Sequence, residues 1–223
     1  MITPDGKRTE IAECFRRIKR QVLANASSLR SDARPANLVL VTSALPGEGK
    51  TFCAINLAIS IAMEMDRTVL LVDADVAKPG VPRALGLDAE KGLMDVLLDR
   101  QLNLGEVLCW TDIERLTILP AGSAHQHSTE LLASDAMHVL LQEMVEHHRD
   151  RIVIFDSPPL LGASEAGVLA GQVGQVIVVV EAGKTSEGAL KDALGRIDSS
   201  KVTGLLLNKG ERPRLGYGYG GYG

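Results

Sequence analysis

The stretch that most constrains this chain is Ala44-Leu45-Pro46-Gly47-Glu48-Gly49-Lys50-Thr51. An apolar run, Leu38-Val39-Leu40-Val41, precedes it and a long apolar segment follows. Strand, small-residue loop and helix in that order are the setting in which successive backbone N–H groups wrap a phosphate, helped by the positive end of the helix. The pattern G-x-x-x-x-G-K-S/T is met except at its first position, where Ala44 stands. The expected nucleotide contacts run through Gly47, Glu48, Gly49, Lys50, Thr51 and Phe52. Lys50 is expected to reach the β- and γ-phosphates, and the Thr51 hydroxyl to ligate Mg²⁺.

Composition narrows the function class. The 223 residues are 45% hydrophobic, enough for one globular domain with a substantial core. A net charge of -4 argues against a broad nucleic-acid-binding surface, so no nucleic-acid partner is expected. Cys14, Cys53 and Cys109 are widely spaced and form no C-x-x-C pair, which suits reduced thiols. No apolar run reaches the ~18–20 residues that span a bilayer, and the N-terminus does not read as a signal peptide. The expectation is a soluble, cytoplasmic chain whose membrane connection comes through a partner or through a segment outside this sequence.

Periodicity predicts the remaining elements. A helix is expected from Glu10 to about Leu29, with Ile11, Phe15, Ile18, Val22 and Leu23 on one stripe and Glu13, Arg16, Arg17, Lys19 and Arg20 on the other. Cys53 to Met65 is apolar nearly all round and reads as a buried helix. Thr68–Val72, Arg115–Leu119, Ile152–Phe155, Gln175–Val180 and Val202–Leu207 read as strands. Helices are expected at Gly92–Asp99, Leu104–Trp110, Ser128–Leu132, Asp135–His148, Ser164–Ala170 and Ser186–Ile197. Strands alternating with helices make the class α/β, with a mostly parallel central sheet and helices on both faces, as in the phosphate-loop NTPases.

Three strand ends then carry chemistry at one sheet edge: Lys50 with Thr51, Asp73 with Asp75, and Asp156. Ligands of open α/β sheets bind at the C-terminal ends of the strands. Thr51, Asp73 and Asp156 are the expected metal-holding set, because Mg²⁺ takes oxygen ligands and keeps several waters. Lys50, Asp73 and Asp75 are the expected catalytic residues for phosphoryl transfer from ATP, with either aspartate a candidate base. His125 and His127 lack a third ligand nearby and read as surface residues.

All three tyrosines, Tyr217, Tyr219 and Tyr222, fall in the Gly-rich tail. Glycine leaves such rings without stable local structure. A plain interaction tag is one reading. The other makes these three residues phosphoacceptors presented to an active site, since a parallel last strand ending at Asn208 starts the tail at the phosphate-loop edge.

With these residues assembled, the chain resembles the bacterial tyrosine kinases, and among them the autokinases of exosortase-type exopolysaccharide loci. That family carries a second motif, D-x-D-x-R after apolar residues. Here it reads Asp73-Ala74-Asp75-Val76-Ala77, with Lys78 next along. The third motif is met by Asp156-Ser157-Pro158-Pro159. The family's E-x-x-R-x-x-R helix motif reads Glu13-Cys14-Phe15-Arg16-Arg17-Ile18-Lys19, with Lys at the last position. The resemblance implies Glu13, Arg16 and Lys19 as oligomer contacts and Asn208 on the adenine side. It also implies ATP and Mg²⁺ as cofactors and a ring-like homo-oligomer whose tails are phosphorylated in trans. The implied partners are a membrane-embedded polysaccharide co-polymerase or activator and a phosphotyrosine phosphatase. The implied location is the inner face of the plasma membrane. The implied organisation is an oligomerisation helix over 1–30, a kinase domain over 31–209 and a tail over 210–223. The alternative is a non-kinase ATPase switch, similar to the partition and septum-positioning ATPases. Those carry an early loop lysine where this chain has Leu45.

Overall fold

A computed structural model describes residues 1–2, 9–27, 35–146 and 150–210. The elements are α1 (Glu10–Ser27), β1 (Leu38–Ser43), α2 (Lys50–Ala62), β2 (Thr68–Asp73), α3 (Val81–Leu85), α4 (Leu93–Leu98) and α5 (Leu104–Val107). There follow β3 (Cys109–Trp110), β4 (Leu116–Leu119), α6 (Ser128–Leu132), α7 (Asp135–Glu146), β5 (Arg151–Asp156) and α8 (Ser164–Gln172). The series closes with β6 (Gln175–Glu181), α9 (Glu187–Leu194) and β7 (Val202–Asn208).

The seven strands form one sheet in the order β3-β4-β2-β5-β1-β6-β7. Every neighbouring pair is parallel except β3 with β4. The central strands are buried on both faces, which is why they read as unbroken Val/Ile/Leu runs. Their alternation still sorts the core into two layers. Leu38, Leu40, Leu70, Val72, Val153 and Phe155 face the layer that receives α4 to α9. Val39, Val41, Val69, Leu71, Ile152 and Ile154 face α1 and α2. The expected class and its two helical layers are what the chain adopts.

Four expectations need correction. Leu104–Trp110 is not one helix: it stops at Val107, and Cys109–Trp110 becomes an antiparallel edge strand. α3 has no counterpart in the expected elements, although Pro82 lies in its first turn and Gly86, at φ 68°, closes it. α2 ends at Ala62, leaving Met63 and Met65 exposed. In α1 the buried stripe is Ala12, Phe15 and Val22, while Ile11 is 47% exposed.

α2 also carries a buried polar residue inside its apolar surface. The Asn56 Oδ1 accepts from the Ile2 N–H at 2.8 Å, and its Nδ2 donates to the Phe52 carbonyl at 2.6 Å. A buried amide of this kind is stable because both ends are satisfied. α1 is fastened to α2 by Lys19, whose Nζ donates to the Ser60 carbonyl at 3.0 Å and pairs with Glu64 at 2.5 Å.

Candidate active site

The phosphate loop leaves β1 at Ala44, which is fully buried. Positive φ angles occur at Gly47 (84°) and Gly49 (94°), and not at Ala44. The departure from the pattern therefore falls where the backbone does not need glycine. At Gly49 a Cβ would also overlap the Asn208 amide. Among the described residues, none accepts from the N–H groups of Gly47, Glu48, Gly49, Lys50 or Thr51. Five free donors at the start of a 13-residue helix form a nest for an anion.

The three carboxylates converge on this loop. Lys50 Nζ lies 2.7 Å from Asp75 Oδ2, and both side chains are largely buried. The other Asp75 oxygen accepts from the Lys78 N–H at 3.2 Å. Asp73 and Asp156 are register partners on β2 and β5. Asp73 accepts from the N–H groups of Gly80 (2.8 Å), Val81 (2.9 Å) and Asp75 (3.3 Å). Burial pushes its carboxyl up against the pull of those three amides, and the Asp75 charge adds to the rise.

Asp156 is fully buried, and neither oxygen has a hydrogen-bond partner of normal geometry. Burial pushes its carboxyl up to about 7, with the Asp73 and Asp75 charges adding and Lys50 and the Thr51 hydroxyl opposing. An orphaned buried carboxylate beside a threonine hydroxyl and a free anion nest is a fit for a hydrated cation bridging to phosphate. Among the described residues no three His, Cys, Asp or Glu side chains gather closely enough to hold an ion alone. Magnesium does not need such a cage, because substrate phosphates and waters complete its shell.

Beside Thr51 opens a cavity of about 630 Å³, lined in part by Phe52, Lys78, Pro79, Gly80 and Arg83. The Phe52 ring meets Phe15 of α1 edge-on, with centroids 6.4 Å apart, so it faces α1. The His125 and His127 rings meet at a tilt of 55° with centroids 5.7 Å apart, and His127 lies 4.0 Å from Glu130. Cys53 is buried under the loop, where burial and the Asp156 charge push its thiol up to about 12. Tyr217, Tyr219, Tyr222, His147 and His148 lie outside the described residues.

Glu48 and Asn208 were expected at the nucleotide, but the partners that fix them were not legible, and Lys209 was not among the expected site residues. Glu48 turns its carboxylate inward and is 2% exposed. It accepts from the Leu45 N–H at 2.7 Å and from the Thr185 hydroxyl. Asn208 Nδ2 donates to the Glu48 carbonyl at 2.8 Å, and Lys209 Nζ to the Gly47 carbonyl at 2.6 Å. Lys209 also pairs with Glu181 at 3.2 Å. Partial burial works against the Glu181 charge, yet Lys209 and Lys184 hold its carboxyl below the usual range. The available signal was positional: Asn208-Lys209 ends a strand at the same sheet edge as the loop.

Among the expected oligomer contacts, Glu13 and Arg16 pair with each other on the α1 surface at 2.9 Å. Lys19 is instead committed to α2, with only 12% of its side chain exposed.

Fold and site together define a phosphate-loop protein. A family model described as an AAA domain matches residues 37–206. The tyrosine-protein kinase YwqD of Bacillus subtilis (strain 168) is 34% identical over 193 residues, covering 85% of this chain and 79% of YwqD. The succinoglycan biosynthesis transport protein ExoP of Rhizobium meliloti (strain 1021) is 34% identical over 96% of this chain, but over 27% of ExoP. The solved kinase domain of the Escherichia coli tyrosine kinase ETK superposes with a TM-score of 0.78 at 28% identity, covering 93% of this chain and 80% of that one. The chain thus spans most of YwqD and about a quarter of longer relatives such as ExoP. It belongs to the bacterial tyrosine-protein kinase family, built on an AAA domain.

Proposed function

We propose that this chain is an ATP-dependent protein tyrosine autokinase that modifies Tyr217, Tyr219 and Tyr222, in trans within a homo-oligomer. The observation that carries this reading is the meeting of Lys50, Thr51, Asp75 and Asp156 at one sheet edge. β7 runs parallel to β6 and ends at that edge, two residues before the tail begins. Kinship with YwqD and ETK supports the same chemistry.

In this reading the loop amides of Gly47, Glu48, Gly49 and Thr51 hold the phosphates, and Lys50 neutralises the β- and γ-oxygens. Thr51 and Asp156, with Asp73 beside them, would hold Mg²⁺. The ion supplies charge neutralisation on the transferring group. A tyrosine hydroxyl, with an ordinary pKa of about 10, needs a base. Asp75 suits this better than Asp73: phosphate would draw Lys50 away from the Asp75 Oδ2, whereas the Asp73 oxygens are engaged by three backbone amides of the fold itself. The phenol proton passes to Asp75, the oxygen bonds to the γ-phosphorus, and the bond to ADP breaks. The cavity beside Thr51 is the approach for the acceptor ring.

Residues 1–30 act as the oligomerisation segment through Glu13 and Arg16 of α1, 31–209 as the kinase domain and 210–223 as the acceptor tail. The protein works in the cytoplasm at the inner face of the plasma membrane, recruited by a polysaccharide co-polymerase and reset by a phosphotyrosine phosphatase. ExoP, by its name a succinoglycan biosynthesis transport protein, supports the link to exopolysaccharide synthesis. Leu45, at the place of the partition ATPases' extra lysine, weighs against a non-kinase switch. Phosphopeptide mapping after incubation with MgATP tests the proposal. Phosphotyrosine confined to the tail is expected, and an unmodified tail under conditions where ATP binds would overturn it.

A further inference from the structure

The outward side of the phosphate loop is as fully built as the inward one. A trans peptide is planar, so the C=O of one residue and the N–H of the next point opposite ways. Fixing the Gly47 carbonyl outward aims the Glu48 N–H inward. Fixing the Glu48 carbonyl outward does the same for the Gly49 N–H. Lys209 Nζ fixes the first at 2.6 Å and Asn208 Nδ2 fixes the second at 2.8 Å.

The cost of this arrangement is visible at Lys209. Its φ is 57°, a left-handed value found at no other non-glycine among the described residues. Such an outlier persists when its surroundings over-determine it. Here the Asn208 carbonyl accepts from the Ala182 N–H at 2.9 Å, and Glu181 holds the ammonium from the other side at 3.2 Å. Lys184 shares that carboxylate at 3.4 Å, leaving Lys209 free to face the loop.

We propose that Asn208 and Lys209 are positioning residues, a clamp that presets the amides of Glu48 and Gly49 for phosphate before any nucleotide arrives. The proposal rests on the loop as a phosphate site and not on tyrosine transfer. Loop amides cradle the phosphates that di- and triphosphates share, so the clamp serves both. By linkage, bound nucleotide tightens the clamp in return. The chain runs on from Gly210 to the tyrosines, so the base of the acceptor segment is steadied when the site is filled.

The test is a titration of fluorescent ADP and ATP analogues into wild type, Lys209→Met and Lys209→Arg, with melting of the ligand-free proteins alongside. A hydrogen bond from a charged donor sets the scale, so Lys209→Met is expected to weaken both nucleotides about tenfold. Lys209→Arg, which keeps a charged donor, should recover most of that loss, and ligand-free melting should move little. Amide exchange at residues 208–210 should slow when ADP binds to wild type and not to Lys209→Met. Unchanged affinity overturns the proposal. So does a loss confined to the triphosphate, which would put Lys209 on the γ-phosphate, or a fall in ligand-free melting that arginine does not repair. Should Lys209→Met not fold, Lys209→Gln, a shorter neutral donor, carries the same comparison. No transfer is measured, so a failed kinase assay leaves this result standing.

Discussion

Asp73 and Asp156 sit opposite each other on neighbouring parallel strands, yet their carboxylates have opposite surroundings. Asp73 is held by three backbone amides, while Asp156 is buried with no partner of normal geometry. One aspartate organises protein; the other is left for something the chain does not supply.

The orphaned carboxyl makes ligand-free stability depend on pH. Asp156 titrates near 7 in the folded state and near 3.8 when unfolded. Between about pH 4 and pH 7 the folded state keeps a proton that the unfolded state releases, so stability falls as pH rises through that window. Above 7 the penalty is complete. Asp156→Asn should flatten this fall and melt above wild type at pH 8 in chelator. It should also lose the extra stabilisation that Mg²⁺ gives to nucleotide-bound wild type. Melting curves at pH 5 and pH 8, with and without Mg²⁺-nucleotide, check both outcomes.

Lys50 and Asp75 face each other at 2.7 Å in the ligand-free site. Lys50→Met should lower tyrosine transfer about a hundredfold or more, because an aimed cation on the phosphates is lost. Asp75→Asn should lower kcat about 10²–10⁴-fold through loss of the base, with nucleotide affinity little changed. Single-turnover transfer with parallel binding titrations separates the two. Equal losses of affinity in both variants would remove Asp75 from the role of base.

The α1 motif divides into a surface part and an internal part. Lys19→Ala removes a partly buried bond to Ser60 and the pair with Glu64. It should cost about 1–2 kcal/mol in denaturant unfolding. Arg16→Ala breaks an exposed i,i+3 pair, worth less than about 0.5 kcal/mol. It should shift light-scattering mass toward the monomer while leaving stability unchanged. Loss of assembly on Lys19→Ala alone, at full stability, would reverse this division.

Glycine is required at Gly49 by both its φ of 94° and the nearby Asn208 amide. Gly49→Ala should cost about 1–3 kcal/mol of stability and remove measurable nucleotide binding. Ala44→Gly, where φ is ordinary, should keep binding within about twofold, since a methyl loss of about 0.8 kcal/mol acts on folding rather than on the loop. Paired urea melts and nucleotide titrations read both.

Much of this architecture was legible because doubly buried strands leave long apolar runs, and each run ends in a group with obvious chemistry. Lys50, Asp73, Asp75 and Asp156 could be placed at one edge from connectivity alone. What escaped lacked periodicity or depended on distant partners. Cys109–Trp110 is two residues long and is a strand because β4 offers an open edge. Ala12 displaces Ile11 from the core because the stripe at spacing three, through Phe15, faces α2. The inward turn of Glu48 depends on Leu45, Thr185 and Glu181, the last two more than 130 residues away in sequence. Lys19 read as an oligomer contact because its partners, Ser60 on α2 and Glu64 just beyond it, are more than 40 residues away in sequence.

The segment after Asp156 remains sewn to the segment after β1. Ser157 donates to the Val41 carbonyl at 3.1 Å, Thr42 to the Pro158 carbonyl at 2.9 Å, and Leu160 to the Ser43 carbonyl at 2.8 Å. The two prolines offer no N–H, so Leu160 and Leu161 resume the stitching. Loop and aspartate must therefore travel as one stiff plate. α3 hangs from a different hook, the Asp73 carboxylate on Gly80 and Val81. News of what fills the pocket would leave the molecule through that hinge, since the plate has no slack with which to report it.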